Sequence, residues 1–150
     1  MTHKTSTALV LSLLLNAVLG CALLSSSSEA RRTGRTESDD WDTFITALAW
    51  VESRWNDNAE SSRQAVGYLQ VTPILVRDAN RIVGAQRFTL DCRTDRQQSI
   101  LMFNIIQDNY NPQHDMHYAL KLWNPYAKPS YHRAVMKKYD ELKTSGLCNL

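Results

Sequence analysis

The chain predicts an all-α domain behind an N-terminal targeting segment, and three observations carry that expectation. Apolar residues recur at helical spacing from Trp41 onward, capping residues punctuate the periodic stretches, and no segment alternates with period two over a convincing length. At 150 residues there is room for one domain and an address. With 43% hydrophobic and 21% charged residues, five Gly and four Pro, the composition excludes collagen-like, mucin-like and broadly disordered chains. Seventeen Lys and Arg against fifteen Asp and Glu leave a formal charge of +2, too balanced to imply a nucleic-acid partner.

Residues 1–30 read as a secretory signal. His3 and Lys4 open the chain, no acidic residue precedes Glu29, and Ala8 to Leu24 is apolar except for Ser12, Asn16 and Gly20. A buried helix would need a polar face to meet water, and this run has none. Two processing routes are open. Val18-Leu19-Gly20-Cys21 resembles the bacterial lipobox, in which the cysteine is acylated, so Cys21 is the lipidation candidate; Ser28-Glu29-Ala30 offers an ordinary cleavage site instead. Either route exports the domain to the periplasm or cell envelope. Export leaves Cys92 and Cys148 as a disulfide candidate, closing a loop whose chain-entropy contribution is about 4 kcal/mol. Residues 31–38 are small, polar and basic, a flexible tether, and the folded domain is expected over 39–150.

The first helix starts at Asp39-Asp40, with Trp41, Phe44, Ile45, Leu48, Ala49 and Val51 at helical spacing and an end near Trp55. Thr72-Pro73 starts the second, and Gly84 stops it. Arg87 to Cys92 reads as a short extended piece. Thr94 or Asp95 caps the third helix, which carries Ile100, Leu101, Phe103, Ile105 and Ile106 and ends at Asn111-Pro112. Asp115 opens a short fourth through Ala119, Leu120 and Trp123. Ser130 is expected to cap the last, with Val135, Met136, Tyr139 and Leu142 inside it and Ser145-Gly146 after it.

Glu52 is the residue that breaks the pattern. Trp41, Ile45, Leu48 and Glu52 stand at i, i+4, i+7 and i+11 and share one stripe. A carboxyl on an apolar stripe at the C-terminal end of a helix is disfavoured as an anion by desolvation and by the helix dipole. Those are the conditions that keep an acid protonated near neutrality, ready to donate a proton.

The segment from Glu52 to Pro73 carries a resemblance. Glu52-Ser53, then Ser62, Ala65-Val66-Gly67-Tyr68-Leu69-Gln70 and Thr72-Pro73 resemble the lytic transglycosylases of the goose-type lysozyme-like fold, which cleave peptidoglycan. Lys121-Leu122-Trp123-Asn124-Pro125 is the nearest counterpart of that family's Ala-Tyr-Asn-Ala-Gly motif, with Trp123 where Tyr is usual, and Tyr131 before Val135 is the nearest counterpart of its Tyr-Val pair. Tyr68 and Leu69 replace Leu and Met, and Pro125-Tyr126 replaces Ala-Gly.

The resemblance implies a compact lysozyme-like helical domain with Glu52 as its single catalytic carboxylate. Glu52 would protonate the leaving oxygen between N-acetylmuramic acid and N-acetylglucosamine. The muramyl N-acetyl group would attack its own anomeric carbon, and Glu52 would then take the proton of the C6 hydroxyl to close a 1,6-anhydro ring, one of the exceptions to the two-carboxylate rule. Ser53, Gln70 and Asn124 would bind substrate through hydrogen bonds, and Tyr68, Trp123, Tyr126 and Tyr131 offer flat faces to sugar rings. No cofactor or metal is expected; His114 and His117 have a ligand-like spacing but no surrounding framework. The expected partners are peptidoglycan strands and, at Cys21, a lipid anchor, for a monomer that binds no nucleic acid. A water-using lysozyme-type hydrolase and a non-catalytic glycan-binding envelope protein are the competing readings.

Overall fold

A computed structural model of the chain describes residues 36–146. Five α-helices form the fold of these residues: α1 (Glu37–Ser53), α2 (Pro73–Val83), α3 (Arg96–Tyr110), α4 (Met116–Trp123) and α5 (Pro129–Ser145), with a 3₁₀ turn, Leu90–Thr94, before α3. The domain is all-α; among the described residues the only extended pairings are isolated bridges, Glu60 with Val66 and Val66 with Val71. No helix among them is long and apolar enough to cross a membrane.

Helix α1 is the central strut. Trp41, Thr43, Phe44, Ile45, Ala47, Leu48 and Ala49 are all buried, which covers most of its circumference and marks a helix surrounded by neighbours. Helix α5 lies against it, antiparallel. Tyr131 at the start of α5 reaches Glu52 at the end of α1, while Lys143 near the end of α5 meets Asp40 near the start of α1, Nζ to Oδ2 3.1 Å. Val135, Tyr139 and Leu142 bury the facing stripe of α5, and Tyr131 extends that stripe by one turn. Helix α2 packs on α3, whose Met102, Phe103 and Ile106 join Phe44, Leu48, Leu69, Leu120 and Val135 in one core.

Local chemistry sets the helix ends. The Thr72 hydroxyl accepts the amide of Leu75 (3.4 Å), Asp95 accepts that of Gln98 (2.9 Å) and Asp115 that of Tyr118 (2.6 Å), each satisfying an amide that the helix leaves without a partner. Gly84 and Gly146 end α2 and α5 in the left-handed region, at φ 75° and 67°. Three boundaries differ from the sequence expectation. Helix α1 begins at Glu37, before Asp39, and places Glu37, Asp39 and Asp40 in its first turn. It ends at Ser53 because Arg54 and Trp55 both turn left-handed, at φ 58° and 63°. Ser130 does not cap α5. The helix starts at Pro129, whose ring presets φ and which has no N–H to satisfy, and Lys128 occupies the cap position without a side-chain bond.

The expected extended piece at Arg87 to Cys92 is also replaced. Buried Asn80 on α2 accepts the amides of Arg87 (2.9 Å) and Phe88 (2.8 Å) and donates to the Phe88 carbonyl (2.8 Å). One side chain thus supplies what a neighbouring strand would, and Phe88 is buried before the chain enters its 3₁₀ turn. Cys92 is half-buried on that turn, whereas Cys148, its expected partner, and Cys21 lie outside the described residues, as do the signal segment and most of the tether.

Candidate active site

Glu52 reaches the last turn of α1 on the stripe that buries Trp41, Ile45 and Leu48. Burial raises its carboxyl from an ordinary 4.5 to about 7, and a hydrogen bond from the Tyr131 hydroxyl to Oε1 opposes part of that rise. The same contact works on the partner: burial first, then the charge of Glu52, pushes the Tyr131 phenol well above its usual range, so it stays a donor. With Oε1 committed to Tyr131, Oε2 is the atom left to carry the acid proton.

Ser53 next to it is a tie. Its hydroxyl lies 2.8 Å from the carbonyl of Tyr68 and 3.2 Å from that of Ala49, and it accepts the amide of Asn56 (3.1 Å). The end of α1 is thereby joined to the turn that carries Gln70. That turn depends on Gly67, which sits at φ 83°; a Cβ there would fall 1.8 Å from the carbonyl oxygen of Arg93, so no other residue fits without moving the 3₁₀ segment. Gln70, also left-handed at φ 51°, donates from Nε2 to the carbonyls of Ala59 and Gly67, both at 3.1 Å. Its amide is therefore held while its Oε1 is available as an acceptor.

The aromatic candidates separate by exposure. Tyr68 is buried, with the Arg96 guanidinium 4.5 Å over its ring. Burial raises its phenol, and Arg96 pulls it back. Trp123 is buried edge-on against Phe103 at 4.9 Å, and its indole donates to the carbonyl of Leu69 (3.2 Å), which fixes the end of α4 to the Gln70 turn. Asn124, half-buried, ends α4; its amide bonds Leu120, and its carboxamide has no hydrogen-bond partner among the described residues. Tyr131 is half-buried with its hydroxyl on Glu52.

Two organising residues escape sequence reasoning. Arg96 grips Asp57 with two bonds of 3.0 Å besides stacking on Tyr68, and it does so across 39 residues, so nothing local marks it. Ser61, rather than Ser62, organises the loop before Gly67 by accepting the amides of Arg63 (3.3 Å) and Ala65 (3.2 Å); the Ser-Ser pair is a visible turn signal that does not say which serine acts. A hollow of about 630 Å³ between Glu37, Trp41, Pro112 and Met116 lies at the other end of α1, remote from Glu52.

Site and fold together describe a desolvated acid at the end of a buried helix, backed by a glycine-dependent turn bearing a fixed glutamine. No match emerges among curated proteins or among solved structures. The family model for the transglycosylase SLT domain matches residues 30–136, well over half of the chain and every residue from Glu52 to Tyr131 that builds this site. The chain belongs to the transglycosylase SLT domain family, a lytic-transglycosylase-type domain that acts on peptidoglycan.

Proposed function

We propose that the protein is a peptidoglycan lytic transglycosylase in which Glu52 is general acid and then general base. The observation that carries this reading is the carboxyl of Glu52, lifted to about 7 by burial and bonded by Tyr131. At neutral pH such a group is divided between acid and carboxylate, which suits a residue that must first give a proton and later take one. Oε2 donates to the oxygen between N-acetylmuramic acid and N-acetylglucosamine, and that bond breaks. The muramyl acetamide oxygen attacks the anomeric carbon; the ionised Glu52 then accepts the C6 hydroxyl proton as the 1,6-anhydro bond replaces the acetamide bond. The proton given up leaves on the N-acetylglucosamine hydroxyl, the C6 hydroxyl proton restores the acid form of Glu52, and no second carboxylate is used. Asp57, five residues on, has both oxygens on Arg96 and favours this single-carboxylate route.

Gln70 Oε1 and the Asn124 carboxamide serve the substrate's hydroxyl and acetamide groups. Ser53, Tyr68 and Trp123 support the site from behind, since their polar atoms or rings are engaged in the fold. Export to the envelope, a lipid at Cys21, a Cys92–Cys148 bridge and a monomeric state complete the proposal; intact mass before and after thiol alkylation reads the first three. The decisive test is digestion of purified peptidoglycan with product identification by mass spectrometry. Anhydro-muropeptides from wild type, reduced about a thousandfold or more by Glu52→Gln, are expected. Reducing-end products would identify a hydrolase, and equal activity of the two proteins would remove Glu52 from the mechanism.

A further inference from the structure

We propose that Tyr126 is a sugar-stacking subsite for polymeric glycan, placed on the turn between α4 and α5; the choice of ligand rests on the peptidoglycan reading above. Tyr126 is 94% exposed, far more than any other large apolar residue described, so its ring contributes almost nothing to the core. The turn beneath it is nonetheless well built. The amide of Ala127 bonds the carbonyl of Asn124 (3.0 Å), and Pro125 restricts the backbone just before Tyr126. Both flanks are fastened to the site. On one side Trp123 donates to Leu69 beside Gln70, and on the other the amide of Tyr131 bonds Lys128 while its hydroxyl holds Glu52. Tyr131 lies five positions after Tyr126, so their Cα atoms lie at most about 18 Å apart, a reach of a few sugar rings along a strand.

The chemistry selects a pyranose. Its C–H face is apolar and its edge is hydroxylated, which matches a tyrosine's flat ring and phenol, and a ring on a constrained turn loses little freedom on binding. The residue acts on binding of long strands and leaves the bond-breaking step to Glu52. In the full-length chain, Tyr126→Ala should raise KM for high-molecular-weight peptidoglycan about fivefold with kcat and thermal midpoint unchanged, and Tyr126→Trp and Tyr126→Phe should restore KM. A parallel sedimentation of the Glu52→Gln protein with insoluble peptidoglycan should show the same loss of binding when Tyr126→Ala is added. That arm reads Tyr126 even if the cleavage chemistry proves different. Wild-type KM and sedimentation in Tyr126→Ala, or a failure of Trp and Phe to rescue, would overturn the proposal.

Discussion

The two ends of α1 share a stripe and spend it differently. At the start, Trp41 stacks near Phe44 (5.1 Å) and His114 (4.4 Å), and its indole donates to Asn104 (3.1 Å). Aromatic packing and a satisfied N–H make that end a conventional core. Eleven residues on, the same face carries Glu52, and the backbone turns left-handed at Arg54 and Trp55. There a carboxyl is desolvated beyond what one phenol offsets. One end of the helix lowers the free energy of the fold; the other raises it and holds a reactive group in return.

Substitutions at the two ends should therefore move stability in opposite directions. Trp41→Ala is expected to cost about 4 kcal/mol in chemical denaturation, with no special pH dependence. Glu52→Gln should stabilise. A carboxyl with a raised pKa keeps its proton in the folded state while the unfolded chain releases it, so wild-type stability falls as pH rises from about 4.5 to about 7 and is flat above. Glu52→Gln lacks that fall and should exceed wild type by up to about 3 kcal/mol at pH 8, with little difference near pH 4. A Glu52→Gln protein that is less stable than wild type at pH 8 would mean the carboxyl is better accommodated than its burial implies.

Tyr131→Phe sharpens the contrast on the catalytic side. Removing the hydroxyl takes away the contact that lowers the carboxyl's pKa, so the alkaline limb of the activity profile should move upward from about 7. The rate at its optimum should fall about tenfold as Glu52 loses its positioning partner. A tenfold loss with an unmoved limb would leave Tyr131 as packing alone. Ser53→Ala, the smallest change, should cost about 1 kcal/mol with a near-normal pH profile, because it loosens the Tyr68 turn without touching the acid.

The helices are legible in the sequence because their signals are local. Thr72, Asp95, Asp115, Gly84 and Gly146 each act within a few residues of where they stand. Glu52 is legible as a polar residue in an apolar register, and the family motif singles out Ser53 and Gln70. The contacts that the site draws from a distance are not. Arg96 reaches Asp57 across 39 residues, Trp123 reaches Leu69 across 54 and Tyr131 reaches Glu52 across 79, and no periodicity encodes such pairs. Tyr131 stands out only through the resemblance. Asn80 has a usable signal, since it lies four residues beyond Val76 on the buried face of α2, but its role as a surrogate strand depends on where Phe88 returns. The burial of Tyr68 and Trp123 likewise comes from tertiary packing, which residue type alone leaves open.

The mechanism depends on a fold that lifts the Glu52 carboxyl to about 7, so that it still carries a proton where an ordinary glutamate is fully ionised. Titration of the carboxyl carbons in glutamate-labelled protein by NMR, with Glu52→Gln assigning the resonance, measures this directly. The expected midpoint is near 7, moving higher in Tyr131→Phe; a Glu52 midpoint at or below the ordinary 4.5 would contradict it.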